Sequence, residues 1–164
     1  MKTRLLLLFV ISASIAFMGA CQQPAAEAPD YTHLGDAYVS AWNTANVDEL
    51  DVLLDDDFVR YSSYSITPDR ILRGIDEMKE EILETHKFNL NFKVIVEETI
   101  THENMLISRW RITAVWARTG KPFEVMGMSI LRIRDGKIYE EYNYFDRLFA
   151  FRQAGMKLVL EEEE

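Results

Sequence analysis

SILRIRDGKIYEEYNYF, running from Ser129 to Phe145, carries apolar residues at alternate positions around a central Asp135-Gly136. Alternation gives each segment one dry and one wet face, so the stretch reads as two half-buried strands. Asp-Gly supplies the positive φ angles of a two-residue hairpin turn. Working back from this hairpin, Phe123 to Arg134 and Met105 to Arg118 read as long strands. Leu90, Phe92, Val94 and Val96 alternate with Asn91 and Lys93 in another. Their joints are short, His102-Glu103-Asn104 and Thr119-Gly120-Lys121, so the four strands form an antiparallel meander.

Before Asn89 the apolar period is 3.6. Tyr31, Leu34, Tyr38, Ala41 with Trp42, and Ala45 make one amphipathic stripe, and Ile75, Met78, Ile82 and His86 make another. Asn46, with Glu49 three positions later, has the form of a capping box opening a short helix that carries Val47, Leu50, Leu53 and Leu54. Asp55 to Asp57 are expected to end that helix, Phe58 to Tyr61 to form a short strand, and Ser62 to Asp69 a loop. After the meander, Asp146 caps a closing helix and Gly155 ends it. Helices first and a curved antiparallel sheet last predict an α+β domain with a cleft between the two layers.

Composition narrows the partners. The 164 residues are 48% hydrophobic with 9 Phe, 7 Tyr and 3 Trp, enough for one well-packed domain. A formal net charge of −9 repels a phosphate backbone and excludes nucleic acid. The single cysteine forbids an intrachain disulfide, and His33, His86 and His102 lack metal-ligand spacing. No metal and no organic cofactor is expected.

The N-terminus reads as an address. Lys2 and Arg4 precede an uncharged apolar run from Leu5 to Met18, which has the form of a signal peptide. Gly19-Ala20-Cys21 follows and resembles a bacterial lipobox, in which Cys21 is lipidated and becomes the new N-terminus. Ordinary cleavage after Ala26-Glu27-Ala28 is the alternative. Residues 1–20 are thus a signal peptide and 21–30 a tether rich in Ala, Gln and Pro. The folded domain is expected over 31–156, with an acidic tail over 157–164. Gln22, where an inner-membrane retention signal has Asp, implies the outer membrane, with the domain in the periplasm.

Several segments, in order, resemble the SnoaL-like polyketide cyclase family of the nuclear-transport-factor-2-like superfamily. They are Tyr38-Val39-Ser40-Ala41-Trp42-Asn43, Val47-Asp48-Glu49-Leu50, Asp56-Asp57-Phe58-Val59, Ile107-Ser108-Arg109-Trp110, Gly127-Met128-Ser129-Ile130-Leu131-Arg132, Asp135-Gly136-Lys137-Ile138-Tyr139-Glu140 and Tyr144-Phe145-Asp146-Arg147-Leu148. The resemblance implies a cone-shaped fold, helices packed on a curved antiparallel sheet. It also implies a general acid–base Asp in the last strand and a His one strand earlier. This chain has Asn143 and Ser129 at those places. An amide cannot exchange protons near neutral pH as a carboxylate does, so the cyclisation step is expected to be missing.

Three functional readings follow. The first is a lipid-anchored domain binding a small, largely apolar molecule in a pocket formed by Tyr38, Trp42, Arg109, Trp110, Met126, Ser129 and Asn143. The second is a cofactor-independent cyclase, isomerase or hydrolase using Asp146 or Glu141 as its acid–base. The third is a homodimeric interaction module that uses the outer face of the sheet.

Overall fold

The computed structural model describes residues 29–62 and 71–157. The expected signal peptide, Cys21, most of the expected tether, nearly all of the expected loop and nearly all of the acidic tail lie outside the described residues. Helix α1 (Thr32–Thr44) leads through a 3-10 turn at Val47–Glu49 into the one-turn helix α2 (Leu50–Leu53). Strands β1 (Leu54–Ser62) and β2 (Leu72–Arg73) precede helix α3 (Gly74–Phe88). The meander is β3 (Asn89–His102), β4 (Met105–Trp116), β5 (Lys121–Arg134) and β6 (Lys137–Phe145), closed by helix α4 (Arg147–Gln153). The architecture is α+β, helices followed by a curved sheet of six strands in the order β2-β1-β6-β5-β4-β3.

The hairpin forms as the dipeptide demands, with Asp135 at φ 52° and Gly136 at φ 77°. Asp146 caps α4 by accepting the Phe149 N–H at 2.8 Å. The meander is antiparallel throughout, but the whole sheet is not. β1 lies parallel to β6, with Arg60 opposite Glu141 and Tyr61 opposite Tyr142, so the sheet is mixed. Periodicity reports that a segment is a strand and which side is dry; it carries no information about the neighbour.

Two local expectations are also corrected. Asp55 to Asp57 do not end a helix but lie within β1, Asp56 and Asp57 exposed, because the chain already turns extended at Leu54. Asn46 makes no side-chain cap; its Nδ2 donates to Glu49 Oε1 at 2.7 Å, and a 3-10 turn results.

The core lies between the helices and the inner face of the sheet. Phe58, Leu50, Leu54, Met78, Ile82, Leu106 and Ile138 are sealed from solvent. Two polar links fix the helical layer. Asn43 imitates a strand residue, donating to the Val94 carbonyl at 3.0 Å and accepting its N–H at 2.6 Å, which ties α1 to β3. A His86 ring nitrogen, 2.6 Å from the Trp42 carbonyl, joins α3 to the end of α1. Among the described residues no helix is long and apolar enough to cross a membrane.

Candidate functional site

The inner face of the sheet can be described as rungs crossing several strands. Leu131, Glu141 and Arg60 form one rung across β5, β6 and β1. Two residues along, Ser108, Ser129 and Asn143 form the next, and Trp110, Gly127 and Phe145 the one after. A strand repeats its facing every two residues, so all three rungs point the same way, toward α1 and α3. There all of them but Gly127 line a cavity of about 130 Å³, whose walls also include Trp42, Phe92, Ile112, Trp116, Phe123 and Phe151. A void of that order accepts a ring-sized molecule.

At the centre sits Glu141, 1% exposed. Its Oε2 accepts from the Tyr38 hydroxyl at 2.7 Å and lies 3.0 Å from Arg60 Nε. Its Oε1 accepts from Asn143 Nδ2 at 3.2 Å and from Ser129 Oγ at 3.4 Å. An ionised carboxylate has about four lone-pair sites, and four groups here address it. Ser129 is equally committed: its Oγ also accepts from Trp110 Nε1 at 2.8 Å and from Asn143 Nδ2 at 3.0 Å. Arg60 completes the cluster, its guanidinium 5.0 Å over the Trp42 ring and 3.8 Å from Glu81.

The electrostatics follow from burial. Glu141 lies between the Arg60 guanidinium and three neutral donors. Burial, reinforced by the negative charge of Glu141, pushes the Tyr38 phenol well above the ordinary tyrosine value, so Tyr38 is a neutral donor. One polar atom is left over. The Asn143 amide orientation is fixed because its nitrogen faces a carboxylate, and its Oδ1 is a buried acceptor without a hydrogen-bond partner.

Six of the expected residues therefore converge: Tyr38, Trp42, Trp110, Ser129, Glu141 and Asn143 all line the cavity. Three do not. Arg109 points to the outer face, where it pairs with Glu97 and Glu98, because it is one residue out of phase with Trp110. Met126 is 63% exposed on that same outer face. Asp146 is exposed and occupied as the helix cap. Two residues of the cluster escaped the sequence reading, and each left a faint signal. Arg60 lies two residues after Phe58 in a strand, hence on the buried face. Glu81 lies three after Met78 on a helix, beside the apolar stripe. Among the described residues no group of His, Cys, Asp and Glu is placed to hold a metal ion.

Comparison with known proteins agrees with this fold. A family model described as SnoaL-like domain matches residues 36–141. No curated protein matches the chain significantly. Among solved structures, TsrD from Streptomyces laurentii superposes with a TM-score of 0.69 at 18% identity, over 77% of this chain and 98% of its own. A protein with a ketosteroid isomerase-like fold from Catenulispora acidiphila, crystallised with trimethylamine, gives 0.69 at 17% identity, over 80% and 96%. IdmH, a candidate polyketide cyclase from Streptomyces antibioticus, gives 0.66 at 19% identity, over 76% and 98%.

Proposed function

The chain belongs to the SnoaL-like domain family, and from that premise we propose that it binds a small, largely apolar molecule without the proton-transfer step of a cyclase. The observation that carries this reading is the state of the cavity floor. Its buried carboxylate accepts from Tyr38, Ser129 and Asn143 and is ion-paired with Arg60, and an amide and a hydroxyl stand where the resemblance assigns an Asp and a His. Glu141 thus serves as an anchor for the floor, its oxygens turned to protein donors and not to the cavity's contents. The apolar walls supply affinity through area removed from water. Asn143 Oδ1 supplies orientation, accepting a hydroxyl or N–H from the bound molecule.

The experiment is a titration of the purified protein with hydroxylated aromatic polycycles. Tryptophan emission is expected to quench saturably, since Trp42, Trp110 and Trp116 all line the cavity, while no polyketide cyclase substrate turns over. Efficient turnover would overturn the reading, and so would an absence of binding.

The same proposal places the protein on a membrane. Lipidation at Cys21 would hold the domain in the bacterial envelope, on the outer membrane facing the periplasm. Stable anchoring takes more than one acyl chain, which a lipidated N-terminal cysteine provides. Labelled palmitate is expected to enter the wild type and to be absent from Cys21→Ala; equal labelling of both would contradict the anchor.

A further inference from the structure

Two more polar atoms of the cavity wall lack a protein partner, and they belong together. Asn89 and Trp116 are directly opposed across the β3–β4 pair and both line the cavity, at the end bounded by Phe123 and Phe151. Residues opposed in this way share a face, with Cβ atoms about 5 Å apart. Asn89 Nδ2 donates to the Thr85 carbonyl at 2.9 Å, which fixes the amide orientation because that carbonyl can only accept. Asn89 Oδ1 is left as a buried acceptor with no hydrogen-bond partner. Trp116 Nε1 is a buried donor in the same condition. The Trp116 ring is held edge-on to Phe151, with centroids 6.0 Å apart, so neighbouring packing constrains its position.

A buried polar group without a partner is unfavourable, and most such groups in native proteins are met by water or a ligand. Here one neutral acceptor and one neutral donor share a wall with Phe123 and Phe151, the latter stacked under the Arg147 guanidinium at 4.7 Å. We propose that this end of the cavity is a polar subsite for an uncharged group with a carbonyl oxygen and an N–H or O–H side by side, as in a lactam. The carbonyl accepts from Trp116 Nε1, the N–H or O–H donates to Asn89 Oδ1, and the attached ring lies among Phe123, Phe151 and the Trp116 indole. The inference rests on the cavity being a binding site, and it adds the chemical class of the group bound at this end.

Three two-ring probes test it: 2-quinolinone carries both functions, 1-methyl-2-quinolinone has lost the N–H, and naphthalene has neither. Affinities for the purified protein are measured by titration calorimetry. For wild type, 2-quinolinone is expected to bind at least about tenfold more tightly than the other two, the effect of leaving one buried partner unmet. In Trp116→Phe and in Asn89→Leu that advantage is expected to shrink toward onefold, with naphthalene binding little changed. Equal affinity of the three probes for wild type would overturn the subsite and leave the apolar binding reading in place. An advantage that survives in both variants would also overturn it. Failure of every probe to bind would overturn the subsite and the binding reading together. The wild-type series is decisive even if a variant does not fold.

Discussion

Replacing Glu141 with leucine is expected to lower the stability of the protein by about 3–5 kcal/mol, the usual effect of removing one partner of a buried ion pair. The change strips Arg60 of its closest anion in a site where Arg60 is only 6% exposed. It also removes the carboxylate acceptor of Tyr38 and of Ser129, leaving the Tyr38 hydroxyl the much weaker Met78 sulfur, 3.7 Å away. Removing both charges in Arg60→Leu/Glu141→Leu is expected to restore at least half of the loss, because an apolar pair of similar size needs no desolvation of charge. Urea unfolding of the two single variants and the double variant measures the coupling; additive losses would show that the two residues do not act as a pair. Alkaline pH probes the same cluster. Tyr38 has its folded-state pKa raised well above 10, mainly by burial and then by the charge of Glu141. Its contribution is complete below the unfolded value of about 10. Above that pH the unfolded chain ionises first, and the contribution is lost as pH climbs toward the folded value. Tyr38→Phe is expected to flatten this alkaline loss by up to about 1.4 kcal/mol per pH unit.

Gly127→Ala is expected to be the most damaging single-methyl substitution in the sheet, at about 2–4 kcal/mol from overpacking and a lost hydrogen bond combined. Gly127 faces Trp110 across β4 and β5, and the indole lies over the space a side chain would occupy. A Cβ there would sit 2.2 Å from Trp110 Cη2 and 2.6 Å from two neighbouring ring carbons. The glycine is needed for this close approach, since its backbone is not in the left-handed region. Trp110 must then leave its place, which breaks the 2.8 Å bond from its Nε1 to Ser129 and opens the cavity floor. Trp110→Leu in the Gly127→Ala background is expected to recover part of the stability, because the shorter side chain clears the new methyl. Urea unfolding and near-ultraviolet circular dichroism check this; an unchanged Trp110 signal in Gly127→Ala would show that the indole had room to spare.

These two positions mark where the sequence stops being legible. From the chain alone, the meander, its Asp135-Gly136 turn, the stripes of α1 and α3 and the Asp146 cap could all be read. Each is a local matter, set by a repeat of 2 or 3.6 residues or by the dihedral preference of one or two residues. The expected pocket nevertheless set Arg109 beside Trp110 and Met126 beside Ser129, strand neighbours of opposite facing that a period of 2 cannot bring into one cavity. The pairing of β1 with β6 could not be read in this way, nor could the charged floor that depends on it. Glu141 meets Tyr38 from 103 residues away, and Arg60 reaches it only because β1 fills the open edge of β6 in parallel. Read singly, Arg60 is an arginine in a short strand and Glu81 one carboxylate of an acidic helix face. Tertiary structure turns them into one buried cluster, and it also leaves Asn89, Trp116 and Asn143 each with an unmet polar atom. The reason is physical: a repeat encodes which side of an element is dry, whereas the partner of a buried polar group depends on elements brought together only when the whole core closes.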